Sequence, residues 1–169
     1  MRHPLNRPKV AARIKAVDLL SRREHSRREL LAKLLTKGYS QEEAEDAVDW
    51  AMKQGFQSDE RFSNSLFRRR APTYGDQFIQ AELDQHQVGV TLSGQVDDLE
   101  PEEVRARKWL ERRYAAKLAA ALACEDTDHR ENLLQLKAKA IRALGARGFH
   151  FHNINLAWTR FLQDHSEDA

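Results

Sequence analysis

The chain has 169 residues, 41% hydrophobic and 32% charged, with a net charge of +2 at neutral pH. That hydrophobic share excludes wholesale disorder, and no apolar run approaches the roughly 20 residues needed to cross a bilayer. A single cysteine, Cys124, excludes an intrachain disulfide and a cysteine-based zinc site.

The N-terminal stretch MRHPLNRPKVAARIKAVDLL is basic but has no apolar core ahead of a cleavage site, so no secretory signal is expected and a cytoplasmic location is. Seven glycines and four prolines are few, and helix formers such as Ala, Leu, Glu, Arg and Gln outweigh β-branched residues. The expected fold is all-α.

After a flexible segment over 1–9, a first helix is expected from about Val10 to Arg23, with Ile14, Val17 and Leu19 or Leu20 on one face. Ser26 with Glu29 three residues on is a capping box, in which each side chain satisfies an amide left unpaired at the helix start. Leu30, Leu31, Leu34 and Leu35 then form an inward stripe that Gly38 stops. Ser40 and Glu43 repeat the device. Ala44, Ala47, Val48 and Ala51 follow at helical spacing, and Gly55 ends that helix. In QGFQSDERF, Phe56 is expected to pack across a joint and Ser58 or Asp59 to cap the next helix.

Phe62, Leu66 and Phe67 mark a fourth helix, closed by Pro72. Phe78, Ile79 and Leu83 mark a fifth, and residues 91–100 a weak sixth broken by Gly94. From Pro101 a seventh carries Val104, Trp109, Leu110 and Tyr114, lengthened by the alanine-rich AAKLAAALA. CEDTDH reads as a loop, and two more helices end the chain. Gly–aromatic pairs recur at Gly38-Tyr39, Gly55-Phe56 and Gly148-Phe149. Aligned on their middle helices, LLAKLLTKGYS, FIQAELDQHQV and KAKAIRALGARGF mark three units at a period of about 50 to 60 residues. The expected architecture is three tandem three-helix repeats (10–57, 58–100 and 101–165) in an elongated, curved array.

Chemistry is scarce. No glycine-rich phosphate loop or dinucleotide fingerprint is present, and Cys124 has no motif tying it to a base. HFH at 150–152 would put two histidines on one side only of a strand, yet falls at a helix joint. Glu102 and Glu103 adjoin a helix start, where capping explains them. No enzyme, cofactor or metal site is expected.

Charge is uneven. Residues 1–30 hold nine basic and three acidic side chains, a net +6, whereas 40–60 hold one basic and seven acidic, a net −6. The basic clusters are the candidate contact residues: Arg22, Arg23, Arg27 and Arg28; Arg68, Arg69 and Arg70; and Arg105, Lys108 and Arg112, which share a helix face. Their expected target is an acidic protein surface or nucleic-acid phosphate. A helix-turn-helix DNA binder is an alternative reading of 26–51, although its second helix opens on acidic QEEAED. A scaffold that binds protein through the acidic 40–60 face is a third.

The ordered series Gly38-Tyr39, Gly55, Phe56, Asp59, Arg61, Phe62, Tyr74, Gly75 and Gly148-Phe149 resembles the bacterial RecX family of regulatory proteins over about residues 11–164. The resemblance implies the same three-repeat fold. It also implies a non-enzymatic partner of the RecA recombinase filament on single-stranded DNA, limiting filament growth, ATP hydrolysis, strand exchange and coprotease activity in recombination, DNA repair and the SOS response. Single-stranded DNA is a second candidate partner. Two departures stand out. Gln87-Val88 replaces the family's Gly-Ile, implying a looser helix end, and a segment from about Ala115 to Asp128 extends the third repeat.

Overall fold

The computed structural model describes residues 10–89, 100–123 and 129–166. Among them every regular element is a helix: α1 (Ala12–Leu20), α2 (Arg27–Thr36), α3 (Gln41–Lys53), α4 (Asp59–Arg70), α5 (Asp76–Gln85), α6 (Glu102–Leu122), α7 (His129–Gly145) and α8 (Phe151–Ser166). The weak helix expected over 91–100, the segment 1–9 and Cys124 fall outside the described residues. The chain divides into two compact units. One comprises Met1–Leu66 with Glu82–Thr91 and the other Phe67–Ala81 with Leu92–Ala169, so the divisions fall inside α4 and α5.

In the first unit α1, α2 and α3 close on Ala16, Leu19, Leu30, Leu34, Tyr39, Ala44, Ala47 and Val48. Three alanines at the contact let the helix backbones approach closely, as close packing without voids requires. The inward face of α1 is a correction. Ala16 and Leu19 are buried, while Ile14 is 63% exposed. Ala16 and Leu19, three positions apart, share the face toward α2 and α3, and helical spacing puts Ile14 on the far side of α1.

One expected capping box forms in full and the other only by half, because the Glu29 carboxylate pairs with Arg23 and His25 instead of returning to the Ser26 amide. Ser26 Oγ accepts from the Glu29 amide (3.1 Å), and Ser40 with Glu43 makes the full reciprocal box. Gly38 and Gly55 then end their helices in the left-handed region at φ 90° and 73°, and the next residue's amide turns back to the helix: Tyr39 N–H to Leu34 O (3.3 Å) and Phe56 N–H to Ala51 O (2.9 Å).

The end of α5 corrects an expectation. It is not loose. Val88 N–H donates to Leu83 O at 3.1 Å, the same closing bond, and Gln87 itself adopts φ 56°. A side chain there costs about 1–2 kcal/mol against neighbouring carbonyl oxygen. Replacing Gln87→Gly is therefore expected to stabilise the protein, by about 1 kcal/mol after glycine's greater unfolded-state freedom is subtracted. Urea denaturation followed by circular dichroism would report it as a higher midpoint at unchanged slope.

The QGFQSDERF joint is held by a network of hydrogen bonds, some within the joint and some to α2 and the segment before it. Ser58 Oγ accepts from the Arg61 amide (3.2 Å), capping α4. Asp59 instead accepts from the Arg27 amide at the start of α2 (2.9 Å) and from Gln57 (2.8 Å). Arg61 reaches back to Gly55 O, Phe56 O and Glu24, satisfying carbonyls at the end of α3. Phe56 stays 46% exposed, with its ring 5.5 Å from Trp50. Phe62 is buried, its ring edge-on to His86.

The second unit is built on α6 packed along α8, with α7 against both. Its core includes Trp109, Leu110, Leu118, Leu144, Phe149, Ile154, Trp158 and Phe161. Ala115–Leu122 continues α6, and Leu118 from that stretch is fully buried. Phe78, expected inside, is 38% exposed and stacks on Tyr74 at 4.1 Å, while Ile79 and Leu83 are buried as expected.

Candidate functional site: a cationic cleft in the second unit

The end of α4 delivers Arg68, Arg69 and Arg70 to the second unit, and α6 carries Arg105, Lys108 and Arg112. Helical spacing puts the α6 residues on one face, and that face meets Ala71 and Pro72 beyond α4. Arg68, Ala71, Pro72, Glu100, Arg105, Lys108 and Arg112 line one cleft of about 230 Å³. Two clusters 35 or more residues apart in the chain thus converge.

They do not all serve as surface. Arg105, expected among the contact residues, is only 6% exposed. Its guanidinium donates to Ala71 O (3.2 Å), Tyr74 O (3.0 Å) and Glu100 O (3.2 Å), and pairs with Asp76. It lies 5.1 Å over the Phe67 ring. Arg105 is the floor of the cleft and closes the carbonyl end of α4. Its expected contact role is withdrawn: an arginine with these partners is committed to the fold.

The rim is different. Arg112 donates to Pro72 O at 2.8 Å, and Lys108 pairs with Glu100. Arg68 and Arg69 are exposed and pair with no carboxylate among the described residues. Arg70 is half-buried, its guanidinium 5.8 Å from the Tyr74 ring.

From the start of α6, Glu102 organises two other helix starts, those of α5 and α8. It is 6% exposed and accepts from the Asp76 amide at the head of α5 (2.7 Å). It also accepts from the His150 amide (3.2 Å) and Nδ1 (2.9 Å) ahead of α8, and from Asn153. Burial disfavours its charge, but Asn153, the Asp76 amide and His150 outweigh that, holding the carboxyl below its ordinary value. Sequence reasoning gave Glu102 only a cap on its own helix, since its partners lie 26 to 51 positions away.

The other cluster belongs to the first unit, and much of its charge is already answered. Arg22 pairs with Asp18 (3.1 Å), Arg23 with Glu29 and Arg27 with Asp49 (3.1 Å), while Arg28 donates to Gln85 O (2.6 Å). Exposed pairs of this kind are worth little individually and leave the arginines reachable. No group of three or more His, Cys, Asp or Glu side chains placed to hold a metal ion occurs among the described residues, nor is any described helix long and apolar enough to cross a membrane.

Helices closed by capped joints and a cation-rimmed cleft in the second unit define an all-helical protein with no strand among the described residues. The model of the first three-helix domain of RecX matches residues 12–50, which span α1, α2 and most of α3. The chain is 35% identical to the regulatory protein RecX of Herbaspirillum seropedicae over 165 residues, 96% of this chain and 99% of that one. It is 35% identical to that of Ralstonia pickettii over 148 residues (86% and 85%), and 36% identical to that of Xanthomonas citri over 154 residues (89% and 87%). The chain belongs to the RecX family of regulatory proteins.

Proposed function

We propose that this protein is a negative regulator of the RecA recombinase, acting in the cytoplasm on the filament that RecA forms on single-stranded DNA. Near-full-length similarity to RecX proteins carries the reading, and the unpaired cations of the second unit supply a surface for it. Binding there restrains filament growth, and ATP hydrolysis, strand exchange and coprotease activity fall with it. The protein's part is contact rather than catalysis. The division into three three-helix repeats belongs to the same proposal.

The acidic opening of α3 disfavours the helix-turn-helix alternative. Glu42, Glu45 and Asp46 are exposed in its first turns, where a recognition helix would meet phosphate.

The test is the DNA-dependent ATPase rate of RecA from the same organism, titrated with this protein well below one molecule per recombinase subunit. A fall in rate at such ratios is expected. Joint replacement of Arg68→Glu, Arg69→Glu and Arg112→Glu should raise the half-inhibitory concentration by about tenfold or more, since reversing several contact charges adds repulsion to lost attraction. An unchanged rate with folded wild-type protein would sink the reading. Unaltered inhibition by the folded triple variant would remove the cleft from it.

A further inference from the structure

The cleft is built for a particular kind of occupant. Its wall is largely apolar: Ala71 and Pro72 line one side and the buried Arg105 side chain lines the base. Single-stranded nucleic acid is held by an open track of cations at backbone spacing, and a phosphate gains nothing from an apolar wall. Here the rim offers few free cations. The one carboxylate of the lining, Glu100, is answered by Lys108, and Arg112 gives one donor to Pro72 O, which leaves Arg68 and the remaining donors of Arg112 at the opening. Two guanidinium forks over an apolar hollow match one carboxylate with an apolar neighbour, because the planar fork takes a carboxylate through paired hydrogen bonds. The hollow, about 230 Å³, accommodates a side chain rather than a folded element.

We propose that the cleft bounded by Arg68, Ala71, Pro72, Lys108 and Arg112 is an anchor pocket for an acidic peptide segment of a protein partner, taking an Asp or Glu carboxylate between Arg68 and Arg112 and an adjacent apolar side chain against Ala71 and Pro72. This deepens the regulatory reading and rests on it for the partner's identity. The charge of the second unit then recognises protein, and DNA enters through the complex rather than through this pocket.

The probe is a fluorescein-labelled peptide of about twelve residues alternating Glu with Leu and Phe, short enough to lie across one such pocket. Its binding to the full chain would be followed by anisotropy beside that of labelled oligothymidylate. Arg68→Glu and Arg112→Glu, made separately, are exposed changes, and circular dichroism verifies the fold. Each is expected to weaken peptide binding by about tenfold or more, as truncating or reversing a central anchor does, and to leave oligothymidylate affinity within about twofold. Replacing Leu and Phe of the peptide by Ser should also weaken it.

The proposal is overturned if the peptide does not bind, if neither variant weakens it, or if oligothymidylate affinity falls instead, which would make the cleft a phosphate site. Equal binding of the Ser-substituted peptide would overturn the apolar anchor. Recombinase inhibition by the same wild-type preparation separates the two readings: peptide binding without inhibition sinks the regulatory role and leaves the pocket, and inhibition without peptide binding does the reverse.

Discussion

Gly75→Ala is expected to cost roughly 3 kcal/mol or more, the upper range of overpacking losses. A Cβ at Gly75 would lie 2.2 Å from Gly148 O and 2.3 Å from both the amide nitrogen and the Cα of Phe149. Each of these is backbone, so no side chain can rotate away. The approach is reciprocal, because a Cβ on Gly148 would lie 2.5 Å from the Phe78 amide nitrogen. Hydrogen bonds hold the two segments at this range, from Gly75 N–H to Arg147 O (2.9 Å) and from Gln77 N–H to Gly148 O (3.1 Å). A methyl group forces the head of α5 off the α7–α8 joint and breaks both.

Urea denaturation would show the loss as a lower midpoint. Near-ultraviolet dichroism of Trp109 and Trp158, both in the core of the second unit, would show looser packing there. Gly148→Ala should be comparably severe, since its φ of 77° adds left-handed strain. The double variant should cost less than the two single losses together, because one displaced contact serves both. A Gly75→Ala protein with an unmoved midpoint would show that the backbones do not need this approach.

Much of the helical frame was legible because its signals are local. Ser26 and Ser40 act within three residues of their partners, and the glycine that ends a helix precedes an aromatic that turns inward at Tyr39 and Phe149, though not at Phe56. Signals that depend on a distant neighbour were not legible. Asp59 and Arg61 look like first-turn charges, yet they bind Arg27 and Glu24 across 32 and 37 positions. Ile14 looks like core, but the face of α1 that meets α2 and α3 is the one that carries Ala16 and Leu19. Gln87 shows the opposite limit, where hydrogen bonds of the helix end impose a left-handed residue whatever the side chain.

The candidate site divides in the same way. That Arg105, Lys108 and Arg112 share a face follows from 3.6 residues per turn. Which of them reaches solvent depends on where Asp76 and the end of α4 lie, and these come from another part of the chain. The same is true of the cleft itself, since neither arginine cluster alone encodes a hollow.

Arg105→Ala is the second large effect expected, about 3–5 kcal/mol, the range for removing one member of a buried ion pair. The loss has separable parts. Ala71 O, Tyr74 O and Glu100 O each lose a charged donor, and a buried acceptor left unmatched costs about 1–3 kcal/mol. Asp76 is left without its counter-ion, although at 32% side-chain exposure water offsets part of that. The contact with the Phe67 ring also disappears.

Arg105→Lys should recover only a minor share, because a single ammonium cannot span carbonyls on both sides of the cleft floor. Arg105→Met keeps volume and apolar stem but no donor, so it measures the hydrogen bonds apart from the packing. Denaturation midpoints are expected in the order wild type, Lys, Met, Ala. The distinction from the rim is functional as well as energetic. Arg68→Glu should leave the midpoint nearly unmoved and change partner affinity, whereas Arg105→Lys should lower the midpoint and, while folded, keep affinity close to wild type. Were Arg105→Lys to lose affinity tenfold at an unchanged midpoint, Arg105 would return to the contact surface from which its burial removed it.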